Sequence, residues 1–336
     1  MGKAFRLILI LLFSLSCSWA WAAPQIIPGG QAVGVVINQE GLLVLKTLEI
    51  TNQQGQKINP AQEAGLKPGD LILSLNGISV QKQAQISEIL RQNPGEAVEI
   101  RFKRQNQEKI LSLIPVYSAQ SRQYKLGLTV REGVSGIGTL SFYCPANNYY
   151  GALGHMVNDF QTGNKIEINQ GQIYGALIKG INQAQKGKPG EKIGCLEDNS
   201  SLQGQVEKNT PYGIFGCLKQ IPDNFYFANP LPVAEISQIK TGPAEMLTVL
   251  TGNKVEKFTV EIKQKQTDAQ ARDLIIKITD PRLLKQCGGI IQGMSGSPII
   301  QNNLFIGAVT HVLINDPIRG YAVTGEKMLE AAEITA

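Results

Sequence analysis

Short, glycine-punctuated β-rich segments fill the chain from about Ser118 to its end, and they constrain the fold more than any other feature. Strands at such spacing, with no long helical periodicity before Lys327–Glu333, are typical of an all-β sandwich or barrel. The 35 glycines and the aromatic content of 6% agree with many short strands joined by tight turns. The length of this region suits a double barrel, and we predict a mainly β protein.

The hexapeptide GMSGSP at Gly293–Pro298 places a serine between glycines on a predicted tight turn. On such a turn the Oγ of Ser295 is exposed as a nucleophile. The amides of Gly293 and Ser295 can then both point at a substrate oxygen and form an oxyanion hole. The hexapeptide is similar to the G-x-S-G-G-P turn of chymotrypsin-like serine proteases, with Ser297 replacing the last glycine. A turn of this composition is by default only a loop. A catalytic role for Ser295 requires a general base from elsewhere in the chain.

Two histidines are available as that base. His155 follows a strand-like segment, Tyr149–Leu153, through a glycine, which places its imidazole at a strand end. It also precedes Ser295, as the histidine does in the chymotrypsin arrangement and unlike the order in α/β-hydrolases. His311 lies in an alternating strand after the nucleophile and fits a packed position better. Chain order therefore favours His155, with His311 as the rival.

The third member of a triad is harder to choose from spacing. Asp280 follows the apolar run Leu274–Ile278 and precedes Pro281, which would hold it rigidly. Asp159 is only four residues from His155, in what reads as a solvated loop. Spacing gives Asp280 a modest lead. The aspartates between the two catalytic candidates are Asp159, Asp198, Asp223, Asp268, Asp273 and Asp280.

Residues Gln31–Tyr117 read as one small domain that precedes the region of the predicted nucleophile. Its string AGLKPGDLILSLNG predicts a buried strand, Leu71–Leu75, between two turns. Helical periodicity is present over Gln83–Gln92, and alternating strands follow at Val98–Arg104 and Lys109–Pro115.

This order resembles a PDZ domain of the kind attached to bacterial proteases, and AGLKPGD…NG is its most diagnostic string. The resemblance implies that Val33, Gly34, Val35 and Val36 accept a terminal or internal carboxylate through backbone amides. An extended peptide would add as a strand between that segment and the Gln83–Gln92 helix. The alternative is a passive spacer, in which Gly34 only serves a bend.

The N-terminus has the pattern of a secretory leader. Lys3 and Arg6 precede the apolar run Leu7–Leu15, which ends before an A-x-A cleavage motif. We predict that residues 1–22 export the protein, either as a cleaved signal peptide or as an uncleaved anchor that associates with the membrane. Residues 23–30 are expected to be a linker.

Charge and cysteine content exclude several classes of function. The formal charge of +5 includes two residues of the leader, and no basic run has interleaved aromatics, so nucleic acid is not an expected partner. The later cysteines show no C-x-x-C spacing, and with only two histidines we expect neither a metal nor a cofactor. We favour buried free thiols for these four residues: Cys144, Cys195, Cys217 and Cys287.

Taken with the leader and the PDZ-like domain, three motifs strongly resemble the SpoIVB serine peptidases of endospore-forming bacteria. They are TDPRLL at Thr279–Leu284, GMSGSP, and THV with NDP at Thr310–Pro317. The resemblance covers nearly the whole chain after the leader. It implies a chymotrypsin-like double β-barrel over residues 118–336 that cleaves peptide bonds.

The same resemblance implies that Ser295 is the nucleophile, His155 the general base and Asp280 the acid that orients the imidazole. Relatives of this kind act between the inner and outer membranes of the forespore. They cleave themselves and then a regulatory subunit that holds an intramembrane metalloprotease inactive, which leads to sigma-factor activation in sporulation. Two alternatives stay open: a catalytically inert PDZ scaffold, and a general quality-control protease. The quality-control type carries its PDZ domain after the protease domain.

Overall fold

The computed structural model describes residues 24–105, 107–158, 170–197, 202–266 and 271–334. The predicted leader and three of the candidate aspartates (Asp159, Asp198 and Asp268) lie outside the described residues. In the described part of the chain, no helix is long and apolar enough to span a bilayer.

Strands dominate the described residues, and helices are few and short. The strands are β1 (Gln25–Pro28), β2 (Ala32–Thr47), β3 (Ile50–Thr51), β4 (Lys57–Ile58), β5 (Leu71–Leu75), β6 (Ile78–Ser79), β7 (Val98–Arg104), β8 (Gln107–Leu113), β9 (Val116–Ser118), β10 (Gln123–Lys125), β11 (Leu128–Cys144), β12 (Tyr149–Ala152), β13 (Gln170–Asn182), β14 (Glu191–Leu196), β15 (Gln203–Val206), β16 (Lys208–Thr210), β17 (Gly213–Gln220), β18 (Leu231–Pro232), β19 (Gly242–Val249), β20 (Val255–Lys265), β21 (Leu274–Ile278), β22 (Pro298–Gln301), β23 (Leu304–Val312) and β24 (Arg319–Thr324). The helices are α1 (Pro60–Glu63), α2 (Gln83–Gln92), α3 (Pro281–Cys287) and α4 (Gly325–Ala332).

The first barrel closes through six strands in the order β2–β11–β12–β17–β15–β13, with β13 pairing back to β2. Val33, Val35 and Ile37 alternate along β2 and are buried in its core, because successive side chains of a strand point to opposite faces. Tyr150 of β12 and Ile173 of the neighbouring strand β13 pack in the same core.

The second barrel is continuous in sequence and closes in the order β19–β20–β21–β24–β23–β22. Its interior is apolar, with Met246, Phe258 and Ile299 almost fully buried. The two barrels meet along the turn Gly293–Pro298, called the nucleophile turn below. There the Thr139 amide of β11 donates to the carbonyl of Ser295 at 2.9 Å. The predicted mainly β double barrel is therefore confirmed.

The PDZ-like domain is inserted between two adjacent strands of the first barrel. Strands β2 and β11 continue past the barrel as a paired ribbon, from Thr139 opposite Ala32 to Leu128 opposite Thr47. The core of the inserted domain includes Leu42 from β2 and Val130 from β11. Its expected limits, 31–117, are therefore displaced: the start of β2 belongs to the first barrel, and the domain closes only at the beginning of β11.

The expected linker, residues 23–30, also contains regular structure. Strand β1 pairs with β11, with Ile27 opposite Tyr143, and with β18, with Gln25 opposite Pro232. Ile26 has no exposed surface and packs in an apolar cluster with Phe142. This segment therefore contributes to the core of the peptidase.

Candidate active site

The nucleophile turn is fixed by short hydrogen bonds and by two glycines with positive φ. Gly293 has φ +91° and Gly296 φ +92°, and a Cβ on Gly296 would lie 2.1 Å from the Thr139 carbonyl oxygen. The amide of Ser297 donates to the Met294 carbonyl at 2.9 Å. Only glycine fits position 296 at this approach, so the predicted tight turn is present.

Ser295 is partly exposed on this turn, and its Oγ donates to the Thr310 carbonyl at 2.9 Å. In the described part of the chain, the backbone amides of Gly293 and Ser295 donate no hydrogen bond to any group. Both residues line a cavity of about 330 Å³. Two unpaired amides beside a hydroxyl are the arrangement that an oxyanion hole requires.

His155 lines the same cavity from the first barrel. It follows β12 through Leu153 and Gly154, whose φ angles of +69° and +68° turn the chain sharply at the strand end. The structure therefore brings His155 and Ser295 together, as the chain order predicts. Their side chains have no hydrogen bond, and the serine hydroxyl is oriented toward Thr310. Such contacts are often long before substrate binds.

The hydrogen bond that His155 makes determines which of its ring nitrogens carries the proton. Its Nδ1 lies 2.8 Å from the carbonyl oxygen of Met156, which can only accept, so the proton is on Nδ1 and Nε2 keeps a lone pair. Burial lowers the pKa of His155, and the Met156 hydrogen bond opposes this only in part. The imidazole is therefore neutral at pH 7, as a general base must be.

His311, the rival base, lies on β23 with its ring centroid 5.1 Å from that of His155. Loss of solvent around the ring, and then the charges of His155 and Arg272, lower its pKa to about 4. His311 is not among the residues that line the cavity with Ser295. The geometry therefore favours His155 as the base.

Asp280 and His155 share no hydrogen bond in the described structure. Asp280 is the N-cap of α3, where its Oδ1 accepts from the Arg282 amide at 2.9 Å and its Oδ2 accepts from the Thr259 amide at 3.3 Å. The Arg282 side chain also contacts both oxygens. Burial would raise the pKa of this carboxyl, but these hydrogen bonds outweigh it and the pKa is lowered. The expected role of Asp280 in orienting the imidazole is not supported, because its oxygens serve the helix and the Met156 carbonyl holds Nδ1.

A buried asparagine that the sequence did not single out supports the loop of the base instead. Asn209 on β16 is 5% exposed, and its side chain makes two hydrogen bonds of 2.8 Å to the backbone of Val157, one from the Val157 amide and one to its carbonyl. Val157 is two residues from His155. Nothing in the pattern around Asn209 indicated this role, since it depends on where the strand packs.

The peptide-binding residues expected in the PDZ domain lie elsewhere. Val33, Gly34, Val35 and Val36 form part of β2 in the first barrel, and both edges of the strand are occupied: Gly34 pairs with Ile137 and with Tyr174. A peptide cannot add to a strand without a free edge. Val35 lines the catalytic cavity instead. This assignment is therefore wrong.

A groove of the expected kind is present where β11 begins. A cavity of about 470 Å³ lies between α2 and the segment Lys125–Val130. Ile86 and Leu90 form its helix side, and Gly127, with φ +71°, lies on the opposite wall. The helix has the predicted bounds, so the error concerned only the strand that faces it.

The four cysteines of the described chain form no disulfide. Cys144 and Cys287 are buried as expected, whereas Cys195 is exposed and Cys217 is intermediate. Burial raises the pKa of Cys287 to about 11, which keeps this thiol protonated at neutral pH. Thiolate chemistry from Cys287 is therefore not expected near the turn.

Comparison with known protein families defines the class. The model of the SpoIVB peptidase S55 family matches residues 122–329, and a PDZ-domain model matches residues 56–104. The first match covers more than half of the chain, so the chain belongs to the SpoIVB peptidase S55 family. It is a serine endopeptidase with a PDZ domain.

Individual relatives match over shorter stretches or at low identity. A protein of Clostridium acetobutylicum named "Putative zinc metalloprotease" is 34% identical over 71 residues, which are 21% of each chain. One of the same name from Neisseria meningitidis is 28% identical over 26% of this chain and 20% of its own length. The chain thus spans about a fifth of the length of these curated relatives. The crystal structure of the active form of Rv3671c protease from Mycobacterium tuberculosis has 16% identity and a TM-score of 0.36, covering 76% of this chain and 88% of that one.

Proposed function

We propose that peptide hydrolysis proceeds through Ser295 and His155 as a pair, with the amides of Gly293 and Ser295 as the oxyanion hole. The observation that carries this proposal is that Ser295, Gly293 and His155 line the same cavity, with His155 coming from the first barrel and the other two from the second. The neutral imidazole and the two unpaired amides support it.

In this mechanism the Ser295 hydroxyl turns from Thr310 toward Nε2 of His155 when a substrate enters. Its Oγ bonds to the scissile carbonyl carbon while its proton passes to Nε2, and the carbonyl oxygen becomes an oxyanion held by the two amides. The C–N bond then breaks as Nε2 returns the proton to the leaving amine. Water repeats the sequence on the acyl-enzyme. The Met156 carbonyl keeps Nδ1–H oriented throughout.

Labelling with a fluorophosphonate tests this assignment. We expect mass spectrometry of the purified protein to locate the adduct on Ser295, and His155→Ala to slow labelling by orders of magnitude. No adduct on Ser295 in a folded protein would support the inert scaffold instead. An adduct on another serine would reassign the nucleophile.

The substrates that we propose follow from family membership. The protein is exported by residues 1–22, cleaves itself, and then cuts the regulatory subunit of an intramembrane metalloprotease in the space between the forespore membranes. This signals sigma-factor activation in sporulation. A terminal or internal peptide segment binds the groove between α2 and Lys125–Val130, with its carboxylate at the amides around Gly127.

Cleavage assays separate these substrates from general proteolysis. The wild-type chain should cut the purified regulatory subunit at one or a few sites and leave unfolded casein largely intact. Ser295→Ala should leave both untouched and should not trim its own N-terminus. Broad degradation of casein without cleavage of the regulator would favour the quality-control alternative.

A further inference from the structure

Lys192 is a buried lysine directly beneath the nucleophile turn. It is 5% exposed and lies on β14, whose start is held against the turn: the Lys192 amide donates to the Gln292 carbonyl at 3.0 Å, and the Gln292 amide donates to the Gly190 carbonyl at 2.9 Å. A Cβ placed on Gly293 would meet three carbons of the Lys192 stem at 3.0 to 3.2 Å. The aliphatic stem therefore packs on the residue that offers the first oxyanion amide.

The ammonium end of Lys192 begins a chain of buried hydroxyls that returns to the same turn. Its Nζ donates to Thr248 Oγ1 of β19 at 2.7 Å, and Thr248 Oγ1 lies 3.1 Å from Ser297 Oγ. Ser297 Oγ lies 3.5 Å from Thr139 Oγ1, which donates to the Gly293 carbonyl at 2.7 Å. The three hydroxyl residues are all completely buried.

The direction of these contacts is determined at both ends. Lys192 Nζ donates to Thr248 Oγ1, and Thr139 Oγ1 donates to the Gly293 carbonyl, which can only accept. Between these two ends, the Ser297 hydroxyl lies within hydrogen-bond distance of both Thr248 and Thr139. The chain spans both barrels, since Thr139 belongs to the first and Thr248 to the second. The Met294 amide donates to the Ile291 carbonyl at 3.1 Å. The peptide unit between Gly293 and Met294 is thus fixed at both its oxygen and its nitrogen.

Burial of this lysine opposes folding. In the described part of the chain its Nζ has a hydroxyl partner and no carboxylate partner, and the titratable group that acts on its charge is the thiol of Cys287. Burial lowers the pKa of Lys192 to about 7, and the Cys287 contact opposes this only weakly. An apolar side chain of similar length would avoid this cost. A lysine here therefore points to a role other than stability.

We propose that Lys192 is a positioning residue of the oxyanion hole. Through Thr248, Ser297 and Thr139 it holds the peptide unit that follows Gly293, so that the amides of Gly293 and Ser295 stay directed into the cavity. This inference rests on the proposed roles of those two amides.

The test compares Lys192→Met and Thr248→Val with Thr248→Ser, which restores the hydroxyl, in the full chain. We expect the first two variants to lower kcat by about 10- to 100-fold, as loss of exact positioning does, with KM within about threefold. Thr248→Ser should recover most of that loss. Lys192→Met should also unfold at the same or a higher temperature than the wild type.

Three outcomes would overturn the inference. The first is wild-type kcat in both Lys192→Met and Thr248→Val. The second is a loss of kcat that tracks a lower unfolding temperature in both variants, which would mean that the chain only supports the fold. The third is a wild-type protein that is folded but takes no fluorophosphonate on Ser295. That result would reject the proposed catalytic pair as well, whereas the first two leave the pair intact.

Discussion

The two barrels position the two residues of the proposed catalytic pair, Ser295 and His155, in different ways. The second barrel is continuous in sequence and builds Ser295 into a turn that is shaped by its own glycines and by hydrogen bonds to nearby residues such as Met294 and Val309. The first barrel is interrupted by the PDZ domain, and it carries His155 on a loop that depends on distant support from Asn209. The serine turn is specified locally and is then stabilised by Thr139 of the first barrel, whereas the histidine loop depends on tertiary contacts alone.

The two barrels also differ in how they connect to the PDZ domain. The ribbon of β2 and β11 connects the PDZ groove at Gly127 to residues that line the catalytic cavity, including Val35 and Ile137. Through the Thr139 amide, strand β11 of this ribbon also donates to the Ser295 carbonyl, although the nucleophile turn itself belongs to a barrel with no insertion. The predictions below test each of the two residues separately.

The largest effect is expected on the serine side. Ser295→Ala removes the nucleophile and should lower kcat/KM by about 10⁴- to 10⁶-fold. The fold should persist, because the side chain makes a single hydrogen bond, to Thr310. Peptide hydrolysis and thermal unfolding, followed on the same preparation, measure both. Residual activity within tenfold of wild type would reassign the nucleophile.

On the histidine side, His155→Ala should be nearly as damaging, at about 10⁴-fold or more in kcat/KM. His311→Ala should cost no more than about tenfold, because its ring lies beside the base and outside the catalytic cavity. The two alanine variants serve as controls for each other, since both lose an imidazole from the same cluster. Reversal of their order would make His311 the base.

The sequence predicted locally specified features far better than features that depend on distant contacts, for a physical reason. GMSGSP specifies its own turn through glycines, and Gln83–Gln92 specifies its own helix through periodicity. The partners of β2 in β11 and β13 are about 80 to 140 residues away, and an alternating strand carries no mark of which sheet it joins. Asn209 and Lys192 gain their roles from burial, which spacing does not reveal.

An intermediate effect is expected in the PDZ groove. Ser87 lines the groove from α2, and Ser87→Glu would place a negative charge beside the bound carboxylate. We expect about tenfold weaker binding of a terminal peptide, which corresponds to about 1.4 kcal/mol. Ala84→Glu, at an exposed position on the same helix but outside the groove, is the matched control. Equal affinities in a fluorescence titration of both variants would place the ligand elsewhere.

The pH dependence of activity should show the lowered pKa of His155. Because the base works in its neutral form, activity falls as the pH drops through that pKa, so the acidic limb of kcat/KM should lie below pH 6.5. His311→Ala should leave the limb in place, since a group with a pKa of about 4 is already neutral there. An acidic limb of kcat/KM above pH 7, or one that shifts in the His311→Ala variant, would contradict this assignment.

The smallest effect on catalysis is expected at Asp280, and it decides what orients the imidazole. An aspartate before a proline is a signal for a helix start as well as for a rigid acid, and here the carboxylate caps α3. Asp280→Asn keeps a capping side chain and should retain activity within about threefold. Asp280→Ala removes the cap and should lower the free energy of unfolding by about 0.5–2 kcal/mol, again with little change in kcat. Urea unfolding and peptide hydrolysis measure the two effects.

If Asp280 instead orients His155, the asparagine variant should lose about 10⁴-fold in kcat while remaining stable, because the wrong tautomer would then be favoured. That result would mean that the Met156 carbonyl is replaced by Asp280 during turnover.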